Sequence, residues 1–87
     1  MRKVVKSYKD RVAGLPCMLC GAEPVQLHHL REGQGMSQRS ADVLIIPLCP
    51  ECHQGQNGYH GLGKRAFEAR YNTTELDLLA LTIERLA

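Results

Sequence analysis

Four cysteines stand in two Cys-x-x-Cys pairs, Cys17 with Cys20 and Cys49 with Cys52, in a chain of 87 residues. A domain this short buries roughly 60% of the surface that its unfolded chain exposes. It therefore often needs a disulfide, a metal ion or a partner chain for stability. The cysteine pairs predict what supplies that extra stability.

The Cys-x-x-Cys spacing is typical of tetrahedral Zn²⁺, because a tight turn places two thiolates about 2.3 Å from one ion. Two such turns complete a four-cysteine site with no open position, which predicts a structural zinc ion. Its binding would contribute on the order of 10 kcal/mol to folding. The alternatives are a redox-active pair, which belongs in a larger α/β chain, and buried free thiols.

The composition is that of an ordinary globular protein, with 44% hydrophobic and 23% charged residues. The longest apolar run, residues 43–48, is too short to cross a membrane. The basic N-terminal segment lacks the apolar stretch of a signal peptide. We therefore expect a cytoplasmic protein, a compartment in which clustered cysteines favour metal over disulfides.

The charge is unevenly distributed along the chain. The net charge is +2 overall, with +4 over residues 1–40 and −2 over residues 41–87. A basic half suits a polyanionic ligand that approaches one face. The alternative is a solvated surface with a chance asymmetry.

The pattern of apolar and turn residues predicts one α+β domain over residues 1–87. We expect a short basic N-terminal helix over 4–13, strands over 25–30 and 43–48, and a loop between these strands. A helix should begin near Pro50, and C-terminal helices should follow over about 63–86, the last opened by a capping box at Thr74. A treble-clef zinc finger has the same order of elements: a Cys-x-x-Cys turn, a hairpin, and a second Cys-x-x-Cys pair in the first turn of a helix. We expect this core over about 17–60.

The last predicted helix carries more leucine than so small a core can cover. Leu76, Leu79, Ile83 and Leu86 form one stripe, and Leu78 and Leu81 fall on the opposite side. This pattern predicts a homodimer through the C-terminal helix; scattered exposed leucines are the alternative.

Three of the four histidines, His28, His29 and His53, stand where the predicted topology would bring them together. His28 and His29 end the first strand, His53 directly follows Cys52, and His60 lies seven residues further on. Imidazoles can hold a divalent cation on a phosphate oxygen and can take a proton from water. Adjacent residues point to opposite faces of a regular strand. His28 and His29 can therefore both serve the site only if the strand twists or bulges there, and their roles should differ.

These stretches resemble the HNH (ββα-metal) endonucleases, and more closely the Ref family of phage RecA-dependent nucleases. The similarity covers roughly residues 10–80 and is carried by residues 27–39 (LHHLR-x-GQGM-x-QR), 46–51 (IPLCPE) and 67–68 (FE). The resemblance implies an HNH ββα-metal fold with flanking helices around the structural zinc.

The resemblance also assigns roles to individual residues. It implies that His28 and His53 are catalytic metal ligands and that His29 is the general base. His60 is the candidate for a further ligand, although its spacing is wider than is common in the family. No Asn occupies the position that gives HNH its central letter, and Asp42 is the nearest polar substitute.

DNA contacts are expected from four polar residues around this site, Arg31, Gln34, Arg39 and Lys64. For the two arginines the alternative is a solvated loop charge. A RecA filament is a further partner that the Ref resemblance implies. The short basic segment before the fold, in place of a long basic arm, counts against it.

The function implied is a metal-dependent DNA endonuclease or nickase in a bacterial or phage-infected cell, with a role in recombination. Mg²⁺ is the expected catalytic cation, with Zn²⁺ and Mn²⁺ as alternatives. The competing function is a zinc-finger module that binds DNA or a partner without cutting. Both functions need the cysteine site, but only the enzyme needs His28, His29 and His53 together.

Overall fold

The computed structural model describes residues 3–31 and 41–87, and in these ranges helices pack around one two-stranded sheet. The elements are α1 (Lys3–Ala13), β1 (Gln26–His29), β2 (Ile45–Leu48), α2 (Pro50–Gln54), α3 (Tyr59–Leu62), α4 (Lys64–Tyr71) and α5 (Glu75–Leu86). The predicted α+β class is confirmed. Gln34 and Arg39, two of the expected DNA contacts, lie outside the described residues.

The two strands pair antiparallel without a bulge. His28 is opposite Ile46, and His29 is opposite Ile45. Both strands are shorter than the predicted 25–30 and 43–48, and Val43, before β2, is exposed. The regular pairing turns the His28 side chain into the protein, where it is 1% exposed, and leaves His29 half-buried on the other face.

Strand β2 lies at the centre of the core. All four of its residues are buried, and α1 and α5 both pack against it. Helix α1 ends at Ala13, the predicted last residue, directly before Gly14, and Val12 is fully buried. The guanidinium of Arg11 donates to the Leu86 carbonyl at 2.5 Å, which joins α1 to the end of α5.

Helix α5 begins at the predicted capping box. The Thr74 hydroxyl accepts from the Asp77 backbone N–H at 3.1 Å, and the Asp77 carboxylate accepts from the Thr74 N–H at 3.2 Å. Each bond satisfies a donor that the first helical turn leaves without an intrahelical partner. None of the helices within residues 3–31 and 41–87 is long and apolar enough to span a bilayer.

The apolar stripe of α5 coincides only in part with its buried face. The buried residues are Glu75, Leu78, Leu79 and Thr82. Leu76 and Ile83, which the stripe includes, are 54% and 52% exposed. The difference arises because the core accepts a carboxylate and a hydroxyl: Thr82 donates to the Leu78 carbonyl at 2.8 Å, so its burial leaves no polar group unsatisfied. The homodimer through this helix stays a prediction.

Candidate metal centres

The four cysteines form a cluster that could hold a metal ion. Their sulfur atoms all lie within 4.8 Å of one another, and the Sγ atoms of Cys20 and Cys49 are 3.6 Å apart. The first pair sits in a turn in which the Gly21 N–H donates to the Cys17 carbonyl at 2.9 Å. Gly21 has a φ of 81°, a conformation that glycine adopts without steric cost. The second pair opens α2, with Pro50 in its first turn.

The environment of Cys17 favours a thiolate, the form that binds metal. Burial disfavours the charged form, but hydrogen bonds from the backbone of Cys49, Cys20 and Leu19 outweigh it and lower the pKa of Cys17 to about 7. The Leu19 and Cys20 N–H groups lie 3.4 and 3.5 Å from the Cys17 sulfur. Four soft sulfur donors within 4.8 Å of one another suit zinc, and a complete set of four protein ligands is typical of a structural site.

A second cluster unites three histidines from β1, α2 and α3. One ring nitrogen from each of His28, His53 and His60 lies within 4.8 Å of the other two. The ring centroids are 5.1 Å apart for His28 and His53, 5.3 Å for His28 and His60, and 4.7 Å for His53 and His60. His28 and His53 are buried and His60 is exposed, so this cluster reaches solvent on one side.

Hydrogen bonds fix which nitrogen of two of these rings carries the proton. Nε2 of His28 lies 2.5 Å from a carboxylate oxygen of Glu75, and Nδ1 of His53 lies 2.8 Å from the side-chain oxygen of Gln26. Each oxygen accepts a hydrogen bond from its ring N–H. In the neutral ring the opposite nitrogen, Nδ1 of His28 and Nε2 of His53, then holds a lone pair. Orientation of this kind is typical of metal-binding histidines.

Two glycines allow α3 to approach α2 closely enough for the histidines to meet. A Cβ on Gly61 would lie 2.1 Å from the Gly55 carbonyl oxygen, and one on Gly58 would lie 2.4 Å from the Glu51 carbonyl oxygen. The sequence suggests that these glycines interrupt the helix. The structure gives them a second role, since this close approach places His60 beside His53.

The surroundings of the cluster favour the neutral form of two of its imidazoles, those of His53 and His60. Burial, with His28 and His60 close by, lowers the pKa of His53 to about 4. Partial burial, His28 and the Arg31 guanidinium lower the pKa of His60. Because only a neutral imidazole has a lone pair for a metal, both shifts favour cation binding near pH 7.

His29 lies outside the three-histidine cluster, on the opposite face of β1. Its Nε2 is 3.2 Å from Oδ1 of Asp42, and both side chains are partly exposed. Asp42, expected as the substitute for the missing Asn, thus contacts the residue expected as general base. The four predicted histidines therefore divide into a cluster of three and one imidazole paired with a carboxylate.

The structure adds three residues that the sequence did not single out. Glu75 is 2% exposed and accepts from His28, from the Arg31 backbone N–H at 2.9 Å and from the Tyr59 hydroxyl. The Tyr59 ring packs on His28 with centroids 4.5 Å apart. Gln26 could have been found from the sequence, because it lies two residues before His28 in the predicted strand and residues two apart in a strand share a face. Glu75 is 47 residues from His28 and gives no comparable local signal.

Two of the expected DNA contacts fall within the described residues. Arg31 lies two residues after the end of β1. Its positive charge helps to lower the pKa of His60. Lys64 is exposed at the first position of α4. Arg31 therefore lies near the histidine cluster, and Lys64 begins the helix that follows α3.

The fold and the cysteine cluster define a small α+β domain with a candidate structural metal site. The chain belongs to the family described as protein of unknown function (DUF968), whose model matches residues 1–86. No curated protein and no solved structure matches the chain.

Proposed function

We propose that this protein is an HNH-type DNA endonuclease or nickase, in which the cysteine cluster holds a structural zinc ion and His28, His53 and His60 hold a catalytic divalent cation. The observation that carries the proposal is the division of the histidines. Three imidazoles converge, two of them with hydrogen-bonded neighbours that leave one ring nitrogen with a lone pair, and a fourth is paired with a carboxylate outside the cluster. A binding module needs neither arrangement.

The donor set fits a catalytic cation. Three nitrogen donors leave coordination positions for water and a phosphate oxygen, and the exposed side at His60 gives a substrate access. A divalent cation bound there would act as a Lewis acid that stabilises negative charge on the phosphate and the leaving oxygen. The cysteine cluster, with four protein ligands, has no such open position.

His29 would act as the general base. With its Nε2–H donated to Asp42, Nδ1 holds the lone pair that takes a proton from the attacking water. The Asp42 carboxylate keeps this tautomer and stabilises the imidazolium that forms, the role of the carboxylate in serine-hydrolase triads. The Arg31 guanidinium near His60, and the basic N-terminal half, would attract the DNA backbone.

A supercoiled-plasmid assay tests the proposal. Zinc-loaded protein should convert supercoiled plasmid to the nicked or linear form with Mg²⁺ or Mn²⁺, with or without a RecA filament, and excess EDTA should stop the reaction. His29→Ala should abolish cutting. The control is Gln54→Ala, at the exposed residue next to His53, which should cut as the unaltered protein does. No cutting by zinc-loaded protein under either condition would contradict the enzyme and favour a binding module.

A further inference from the structure

Glu75 is the buried carboxylate of the histidine cluster, and neither the cysteine site nor the proposed proton transfer uses it. It is 2% exposed at the first position of α5, beyond the capping residue Thr74. A buried carboxylate costs several kcal/mol of free energy unless its oxygens accept hydrogen bonds. Its presence in the core therefore needs a reason beyond helix formation.

The contacts of Glu75 converge on the histidine cluster. Its Oε2 lies 2.5 Å from Nε2 of His28 and 2.9 Å from the backbone nitrogen of Arg31. It also accepts from the hydroxyl of Tyr59, the residue directly before His60. One carboxylate thus joins the end of β1 and the start of α3 to α5.

Glu75 is not placed as a metal ligand itself. Among the described residues, the donor atoms within 4.8 Å of one another belong to His28, His53 and His60, without the carboxylate. A nitrogen that donates its proton to Glu75 cannot at the same time bind a metal ion. Only Nδ1 of His28 remains for that purpose.

We propose that Glu75 is a positioning residue that holds His28 as an Nε2–H tautomer, so that His28 binds the cation of the three-histidine cluster through Nδ1. This inference rests on the metal site of the proposed function and does not depend on DNA cleavage. It gives α5 a part in the site, since the first residue of that helix sets the orientation of a ligand on β1. Gln26, on β1, holds His53 in the same way, because its side-chain oxygen accepts from Nδ1 of that ring.

Metal titration tests the role of Glu75. Zinc-loaded protein is titrated with Ni²⁺, which imidazole ligands bind well, by calorimetry. We expect Glu75→Gln, which keeps the shape but loses the charge, to weaken Ni²⁺ binding about 10- to 100-fold, the usual effect of removing such a partner. The matched control is Asp77→Asn, which removes a carboxylate two residues away that caps α5 and is exposed. It should bind Ni²⁺ as the unaltered protein does, and equal affinity in Glu75→Gln would overturn the inference.

Histidine NMR of the unaltered protein gives a readout that does not depend on the variant's folding. With a further equivalent of Zn²⁺, the ¹⁵N shifts of His28 should show a protonated Nε2 and a metal-bound Nδ1. A metal-bound Nε2 would overturn the role of Glu75. Failure of the unaltered protein to bind Ni²⁺ or the second Zn²⁺ would overturn this inference together with the proposed metal site. Metal binding without plasmid cutting would contradict the nuclease alone.

Discussion

The side-chain oxygen of Gln26 lies 2.8 Å from Nδ1 of His53, although the two residues belong to different elements, β1 and α2. This bond occupies Nδ1 of His53, which leaves Nε2 as the nitrogen that could bind a cation shared with His28 and His60. Gln26→Ala should therefore weaken Ni²⁺ binding by about 10-fold or more, because the ring loses the acceptor that fixes its tautomer. Calorimetry of the zinc-loaded variant measures this. Gln54→Ala is the matched control, and a Gln26→Ala variant that binds like it would contradict the prediction.

The two adjacent histidines of β1 should give different defects. His28→Ala should lose both Ni²⁺ binding and plasmid cutting, because it removes a ligand. His29→Ala should bind Ni²⁺ normally and lose cutting by on the order of 10²–10⁴-fold, the contribution typical of a general base. Asp42→Asn should also reduce the rate of plasmid cutting, without changing the affinity for Ni²⁺. Unchanged cutting by His29→Ala would refute His29 as the base.

The close contact at Gly61 predicts a steric effect on the histidine cluster. An added Cβ would lie 2.1 Å from the Gly55 carbonyl oxygen, so Gly61→Ala must push α3 away from α2 and separate His60 from His53. We expect weaker Ni²⁺ binding with the zinc content unchanged. Gly14→Ala is the control, since its Cβ would meet nothing closer than 3.6 Å. Equal Ni²⁺ affinity in the two variants would show that the site does not need this contact.

The pKa of His53 predicts its charge in mild acid. An ordinary histidine, with a pKa of about 6.5, is mostly protonated at about pH 5.5. Burial beside His28 and His60 lowers the pKa of His53 to about 4, so its ring should stay neutral there. The sign follows from burial, which disfavours the charged form. A ¹H–¹⁵N titration of the histidines measures it, and a midpoint for His53 near 6.5 would contradict the buried environment.

Loss of metal from the cysteine cluster should unfold the domain. Cys17 and Cys49 are part of the core, next to Leu30 and Phe67. If zinc binding contributes on the order of 10 kcal/mol, its removal exceeds the 5–15 kcal/mol stability typical of a domain, or consumes most of it. Cys49→Ser, or a strong chelator, should abolish the cooperative melting transition seen by circular dichroism. Cooperative melting without zinc would show that the core is sufficient alone.

Local signals in the sequence explain why most of the fold could be predicted. The Cys-x-x-Cys turns, Pro50 at the start of α2 and the Thr74 capping box each act over a few residues, and the structure has α4 and α5 within the predicted 63–86. The buried face of α5 is harder to predict from the sequence, because burial of Glu75 and Thr82 depends on partners elsewhere in the chain. Hydrophobic periodicity groups Leu76 and Ile83 with Leu79, but it does not show which of these residues the core covers, and Leu76 and Ile83 are exposed.

In the candidate site, too, local signals can be read from the sequence and contacts between distant residues cannot. His28 and His29 could be separated from strand alternation alone, and Gln26 follows the same rule. Glu75 could not be found this way, because its contact with His28 joins residues 47 positions apart. The closeness of His60 to His53 depends on the tight contact of glycine backbones, whereas glycines in sequence indicate only a break in a helix.

The backbone N–H of Met18, between Cys17 and Cys20, donates to the Pro47 carbonyl on β2 at 3.0 Å. β2 pairs with β1 on one side, so the cysteine turn occupies hydrogen-bonding positions on the other. An uncovered strand edge of apolar residues recruits strands from other molecules. A metal ion bound by the cysteines would hold this turn against the edge of β2, so that keeping metal bound during purification should favour solubility as well as folding.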